Sequence, residues 1–558
     1  MRARPISCCF SGHRPGKLPW GDDEGDRRCL ALKERLWNEM EAAYERGYRH
    51  FICGMAQGCD LYFCELALAL RQLHGDVTVE AAIPCPSQAE GWPAEQRLRW
   101  QRLVAACDYE TMVQQQYSPG CMQRRNRYMV DHASLLIAVH DGLPGGMTLE
   151  ETLQLVNPLV DAGVDALHIS AGIGETKHLI SPPSCTPEAW LSDAARQVKE
   201  AVRNRVPVIS VGRYVHPAIA DQVIRDGKAD MVAFGRALIA EPELINKYAE
   251  NRLDSVRVCL GCNEGCTGML NECRPISCAL NPRTGYEDDY PMTQADAPKA
   301  VVVIGGGPAG CEAALTAAQR GHKVVLFEAT STLGGLANIA ALPPGKGVFA
   351  TLGTYFSAML PRAGVDVRLN TKADADAVRA LHPDHVIVAT GGTPIVPRFC
   401  AGSPVVLAQD ILTGAAQAGS RVLVIGGGLV GSETAEFLAD KGREVTVVEL
   451  RDGIALDMEY KTRQMLMPKL AALGVVCLTE TEVLEIGCNG NIKVKTPYLE
   501  KELSGFDTVV VALGYRPDAA LCADLAAADI DFVQVGDCKK VGKIINGVWE
   551  AFQLAYRI

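Results

Sequence analysis

The chain has 558 residues, several times the usual single-domain length, so three or four domains is the starting expectation. Hydrophobic residues make up 48% and charged residues 22%, proportions that exclude a largely disordered or fibrous protein. A formal net charge of −11 leaves no basic excess to compensate a phosphate backbone, which excludes nucleic acid as a main partner.

The N-terminus, MRARPISCCFSGHR, has two early arginines but no apolar run of secretory length, and no stretch reaches about 18 uninterrupted apolar residues. A cytoplasmic protein without a membrane partner is expected. Twenty-one cysteines are scattered through apolar segments apart from one cluster, so most read as reduced, buried small hydrophobes.

Residues 1–146 alternate short apolar runs with helical stretches. ISCCFSG, HFICGM, VTVEAAIP and SLLIAVHDG read as buried strands, and Arg28 to Arg46 reads as an amphipathic helix between the first two. The expectation is a small doubly wound α/β domain. Gly12-His13-Arg14 and Gly54 to Asp60 follow strands in the manner of ligand loops, and Gly142 to Gly146 closes a third. Each glycine alone reads as a tight turn, but three such loops in one small domain favour a ligand. FSGHRP, GMAQGCD and IAVHDGLPGG resemble the SLOG superfamily of Rossmann-like domains, in particular its YpsA-like branch. The resemblance implies a nucleotide-derived ligand with a ribose or phosphate site near Gly12, Arg14, Gly54, Gly58 and Asp60.

From Met147 three βα-like units follow, with strands at DALHIS (165–170), PVISVG (207–212) and MVAFGR (231–236), like consecutive strands of a barrel over residues 147–257. Gly212-Arg213 and Gly235-Arg236 end the second and third strands, where backbone N–H groups and a guanidinium can hold a phosphate. Either pair alone reads as a strand end with a solvated arginine.

Residues 258–297 hold the strongest local signal, Cys259, Cys262, Cys266 and Cys278 in the spacing C-x2-C-x3-C-x11-C, followed by a linker rich in Pro, Asp and Thr. Short loops let three sulfurs converge and a longer one returns the fourth, as a 4Fe-4S cubane requires. Zinc competes, although a zinc ribbon would usually show two CxxC knuckles and here there is one. Cys273, inside the long loop, is an alternative ligand.

KAVVVIGGGPAGCEAALTAAQRGHKVVLFE then opens a dinucleotide-binding βαβ unit. Gly305, Gly307 and Gly310 supply the turn, the approach to pyrophosphate and the helix-strand contact, and Glu328 accepts from ribose hydroxyls. The unit recurs at RVLVIGGGLVGSETAEFLADKGREVTVVE with Gly426, Gly428, Gly431 and Glu449 in the same roles. Two such units imply two dinucleotides. Glu449 would repel a 2′-phosphate and favours NADH, while Arg451 keeps NADPH open. VIVATGG, VVVALGYRP and VQVGDC return the chain to the first unit, with Gly536-Asp537 placed to reach the FAD ribityl or pyrophosphate. The second domain (419–504) reads as inserted into the first (298–418 and 505–558).

VGR, FGRALIAEP, the cysteine spacing, GGGPAG, LGGLANIA, ATGG, GGGLVG and GDC together resemble the 2,4-dienoyl-CoA reductase and 2-enoate reductase branch of the old yellow enzyme family, over about residues 147–558. The resemblance implies an FMN-binding TIM barrel, a 4Fe-4S cluster and FAD and NAD(P)H domains. It assigns the cluster to Cys259, Cys262, Cys266 and Cys278, FAD to Gly307, Glu328, Gly335 and Asp537, and the FMN phosphate to Arg213, Gly235 and Arg236. Hydride would pass from nicotinamide to FAD, single electrons through the cluster to FMN, and hydride to the β-carbon of an activated alkene.

A full barrel needs roughly 200 residues or more, and only its last three units are found, so the family's tyrosine proton donor has no counterpart here. Thr176 stands where the dienoyl-CoA branch has a histidine; His178 is a weak candidate acid, with a surface-loop role the plainer reading. Exposed barrel strands call for a cover, from the N-terminal domain or from another subunit in a homo-oligomer. Three functions follow as expectations: an NADH-dependent enoate or enone reductase, an NADH diaphorase that feeds a partner, and a nucleotide-sensing SLOG protein with a redox module attached.

Overall fold

The computed structural model describes residues 7–558 except 13, 16, 17, 19, 119, 133–134, 139–147, 174–175, 401–402 and 488–490. His13, the glycine loop at 142–146 and the Gly174-Glu175 pair lie outside the described residues. The chain divides into two units, Met1–Gly145 and Gly146–Ile558.

The N-terminal unit is a five-stranded parallel sheet in the spatial order Tyr109–Met112, Thr78–Ile83, His50–Cys53, Ser7–Ser11, Leu135–Ala138. Strand Tyr109–Met112 has no counterpart in the sequence reading. It is an edge strand whose first two residues are exposed, so the continuous apolar run that marks a central parallel strand is missing. The core packs Phe10, Phe51, Phe63, Met40 and Leu61, with Phe10 and Phe63 stacked at 4.5 Å. The first helix spans Arg27–Glu45, and Asp26 caps it by accepting from the Arg28 N–H at 2.8 Å.

The second unit begins with three parallel strands, Leu167–Ile169, Val208–Ser210 and Met231–Val232. The first and third are shorter than their apolar runs, with Ala166 and Phe234 outside the strands. Helices Leu149–Asp161, Ser192–Val202 and Pro217–Arg225 contribute Val156, Ala195, Val198, Val202, Ala220 and Val223 to the core behind them. Met231, Leu155, Leu159 and Ile224 remain exposed.

Two further parallel sheets follow. One runs Asp366–Arg368, Lys323–Phe327, Ala300–Ile304, His385–Val388, Val533–Gln534. The other runs Val405–Leu407, Thr508–Val511, Arg421–Ile425, Glu444–Val448, Val476–Leu478. Since His385–Val388 pairs directly with Val533–Gln534, the second sheet is built wholly from chain that leaves and re-enters the first. The antiparallel pair of Gly392–Pro394 with Tyr515–Pro517 ties the two crossings together. Among the described residues no helix is long and apolar enough to cross a membrane.

Candidate functional site

The cysteine segment lies between the barrel-like strands and the first dinucleotide sheet, clamped on both sides. Cys259 follows Arg257, whose half-buried guanidinium donates to the Tyr355 hydroxyl (2.9 Å), the Leu280 carbonyl (2.9 Å) and both Glu312 oxygens (3.2 Å). Glu312 sits on helix Pro308–Gln319 of the first dinucleotide unit. One arginine thereby holds both ends of the cysteine loop against that helix. On the same side Trp549 Nε1 donates to the Cys278 carbonyl at 3.1 Å, and Lys543 pairs with Glu264 at 2.7 Å. On the other side Arg236 donates to Asn263 Oδ1 at 2.7 Å, and Asn263 in turn donates to the Ser181 carbonyl at 2.9 Å.

Glu264–Gly268 forms a single π-turn that starts from Asn263 in the left-handed region (φ 61°), the kind of helical irregularity found at functional sites. Gly265 is obligatory there, since a Cβ would lie 2.9 Å from the Cys278 backbone. Burial pushes the thiols of Cys259 and Cys262 up, and that of Cys278 up to about 11. Each of the three is near enough to others of the four for their charges to act on it. Among the described residues no group of three or more His, Cys, Asp or Glu is drawn together as an ion site. The donor set nonetheless fits a thiolate-held centre. The Leu280 N–H points at Cys278 Sγ (3.4 Å), and backbone N–H groups of Gly261 and Glu264 face Cys259 and Cys262. Thiols buried beside such donors ionise only when a cation arrives. Cys273 is exposed, with φ 55° in a turn, whereas the other four are half-buried.

Arg213 and Arg236 stand together beside this loop. Arg213 sits at φ 57°, donates to the Thr186 carbonyl at 2.8 Å, and has a buried Nε without a partner among the described residues. Burial holds its guanidinium below the usual arginine range, and the charge of Arg236 adds to that. Gly235 opens onto free space. Two adjacent cations, one with an unspent buried donor, suit a phosphate. His178 is not on a loop: it lies in the short helix Lys177–Ile180, half-buried, its Nδ1 3.3 Å from Gln464 Oε1.

In the first dinucleotide unit Gly305 (φ 112°) makes the turn, and a Cβ on Gly310 would collide with the Gly305 carbonyl. Gly307 faces open space, and Gly335 lies across from it, where a Cβ would stand 3.1 Å from the Gly307 Cα. The buried Glu328 accepts from the Gly306 and Thr330 N–H groups and from the Thr330 hydroxyl, all at 2.7 Å. Asp537 follows Gly536 (φ 68°) and accepts from the Gly542 N–H at 3.0 Å, its carboxyl raised by burial.

The second unit repeats the frame with one difference. Gly426 turns at φ 99°, Gly431 abuts the Gly426 carbonyl, and Glu449 accepts from Gly427 N at 2.6 Å. Glu449 also holds Arg451 at 3.1 Å, and the Asp457 carboxylate accepts from the Leu429 N–H at 2.9 Å, 3.1 Å from where a Cβ on Gly428 would stand. An acid thus meets the helix N-terminus where a pyrophosphate would sit.

In the N-terminal unit the loops after the first two strands converge on an ion pair missing from the sequence reading. Arg125, on helix Cys121–His132, donates to the Gly54 carbonyl and lies 3.2 Å from the buried Asp60 carboxylate, which burial raises. Asp60 also accepts from the Ala56 N–H at 3.2 Å. Gly58 (φ 82°) starts helix Cys59–His74. Arg125 Nε and Gln88 Oε1 are buried there without partners among the described residues. Gly12 is tightly enclosed, 2.5 Å from Cys59 Cβ when given a Cβ, and Arg14 is exposed.

Family models match three segments: the YspA SLOG family over residues 8–148, the NADH:flavin oxidoreductase / NADH oxidase family over 134–255, and pyridine nucleotide-disulphide oxidoreductase over 299–537. Among curated proteins, the NADH oxidase of Thermoanaerobacter brockii is 41% identical, covering 76% of this chain and 66% of that protein. The metal reductase of Desulforamulus reducens is 32% identical (75% and 68%), and the cinnamate reductase of Clostridium sporogenes 33% (74% and 62%). A solved 2-naphthoyl-CoA reductase superposes with a TM-score of 0.71 at 26% identity, covering 89% of this chain and 76% of that one. The chain spans about two thirds of the length of these curated relatives. Behind its SLOG unit, the chain belongs to the NADH:flavin oxidoreductase / NADH oxidase family, in the branch that joins barrel elements to a pyridine nucleotide-disulphide oxidoreductase module.

Proposed function

We propose that the chain is an NADH-dependent iron-sulfur flavoprotein oxidoreductase of the enoate reductase type. One observation carries the reading: the four-cysteine loop is gripped on one face by the FAD-type unit, through Arg257, Trp549 and Lys543, and on the other by the Arg236 to Asn263 contact beneath the two barrel arginines. A one-electron carrier belongs between two flavins. The family's cofactor set is FAD, FMN, NAD(P)H and a 4Fe-4S cluster. Cys259, Cys262, Cys266 and Cys278 hold the iron. Glu328, Gly307 and Asp537 orient FAD, and Arg213, Gly235 and Arg236 take the FMN phosphate. The cluster supplies one-electron transfer, and the protein's part is to fix the distances and exclude water. Glu449 keeps Arg451 engaged, which favours NADH over NADPH. An activated C=C bond is the substrate class, as the cinnamate and 2-naphthoyl-CoA reductases suggest.

The test is the flavin and iron content of anaerobically purified protein, followed by reduction with NADH and with NADPH. The expected result is FAD, FMN and about four irons per chain, with faster bleaching by NADH. FAD and iron without FMN would favour the second reading, an NADH diaphorase that feeds a separate acceptor. The three-stranded barrel sheet, with Met231 and Leu155 exposed, supports that alternative. A second copy that covers these exposed side chains predicts a homo-oligomer, checked by light scattering on the same sample.

For the N-terminal unit the proposed ligand is a nucleoside monophosphate, its phosphate on Arg125 Nε and the helix N-terminus at Gly58. In the full chain AMP is expected to raise Tm, and Arg125→Met to weaken binding about tenfold or more, the worth of a charged hydrogen bond. Equal AMP affinity in the variant would sink the idea.

A further inference from the structure

The helix Tyr460–Ala472 of the pyridine-nucleotide unit sends a lysine into the cysteine loop. The Lys461 side chain is 4% exposed, and its Nζ donates to Thr267 Oγ1 at 2.6 Å, one residue from Cys266. Its one ion-pair partner among the described residues is Glu459, at the 4.0 Å limit. Glu459 itself is occupied as the helix cap, accepting through Oε2 from the Lys461 and Thr462 N–H groups, while its Oε1 is buried without a hydrogen bond. An ammonium carries three donors, and burying one with a single neutral acceptor is costly unless an anion lies near. The other charges around it are cationic, Arg236 and Lys177, apart from the Cys266 thiol. Arg213, whose buried Nε has no partner among the described residues, adds a cation on the Cys259 side. Arg213, Arg236 and Lys461 thus lie beside thiols that supply negative charge only once they bind iron.

We infer that Lys461 is a counter-cation of the iron-sulfur cluster, supplied by the pyridine-nucleotide unit, and that it raises the cluster's reduction potential. The inference rests on the cluster reading above. A cubane held by thiolates would gain one negative charge on reduction, so a fixed cation beside the loop would favour the reduced state, the more so in a dry site. Because the cation comes from the nucleotide unit, the potential depends on that unit being docked. Lys461 is a positioning residue in this scheme and touches no reacting atom.

The experiment is a redox titration of the purified holoenzyme, followed by the EPR signal of the reduced cluster, with iron measured on each sample. Lys461→Met is expected to keep its iron and to move the cluster midpoint to lower potential. Lys461→Arg should restore most of the wild-type value, and Lys493→Met, an exposed cation, should leave it unmoved. If Lys461→Met fails to hold iron, Thr267→Val, which removes only the acceptor that aims the ammonium, should give a shift of the same sign. An unmoved midpoint in Lys461→Met or Thr267→Val overturns the inference, as does an equal drop in Lys461→Arg, which would mark a packing effect. Wild-type protein that carries zinc or no iron would instead defeat the cluster reading, before any variant is compared.

Discussion

Cys262→Ala is expected to lose nearly all of its iron while keeping FAD. Cys262 is half-buried, faced by the Glu264 N–H and within range of the charges of the other three thiols. Removing it leaves three sulfurs and a void at the start of the π-turn. Loss of outer-shell partners alone costs 10–100-fold in metal affinity or activity, so loss of a ligand should cost about a hundredfold or more. The frame proposed for FAD, built from Gly305, Gly307, Gly310 and Glu328, is separate from the cysteine loop, so NADH oxidation by ferricyanide, which would take electrons directly from FAD, should persist. Reduction of any acceptor beyond the cluster should fall by about a hundredfold or more. The companion variant is Cys273→Ala, which should keep about four irons, since Cys273 is exposed in a turn. Iron loss in Cys273→Ala equal to that in Cys262→Ala would mean that the ligand set is wrong.

The two dinucleotide units were legible because their chemistry is local. A buried strand, a glycine turn, a helix and an acid about twenty residues on are contiguous in the chain, and the structure folds them with Glu328 and Glu449 each accepting from the turn at Gly306 and Gly427. The cysteine spacing was legible for the same reason. What surrounds the cysteines was not. Trp549 and Lys461 reach the loop from chain 271 and 194 residues away in their hydrogen-bonded pairs, Arg257 links it to a helix of the first dinucleotide unit, and their local sequence carries no periodicity to set them apart from surface cations or core aromatics. Arg125 was hidden similarly, in the run QRRNR of a polar helix, where only the fold shows which arginine turns inward. Edge strand Tyr109–Met112 was missed because half of it faces water, and His178 was misplaced because a four-residue helix leaves no pattern to read.

Gly307→Ala and Gly310→Ala should separate binding from folding. Alanine is better than glycine inside a helix by about 1 kcal/mol, so propensity alone would make Gly310→Ala stabilising. Its Cβ, however, would collide with the Gly305 carbonyl oxygen and stand 3.1 Å from Ala389 Cβ, both on backbone or short side chains that cannot swing aside. Overpacking of that kind costs about 1–3 kcal/mol or more and outweighs the propensity gain. Gly310→Ala should therefore lower the Tm of FAD-free protein and lose FAD together. Gly307 caps the same helix at φ −71°, a conformation that alanine adopts freely, and an added Cβ meets nothing within 4 Å. Without FAD its Ala variant should match the wild type in Tm, within about 0.5 kcal/mol of stability. In the proposed site that open space admits the pyrophosphate to the backbone, so the methyl should weaken FAD binding about tenfold or more, read by fluorescence titration of the FAD-free protein. Retention of wild-type FAD affinity in Gly307→Ala would place the dinucleotide elsewhere, and a parallel fall in Tm for both variants would mean that Gly307 serves packing rather than the cofactor.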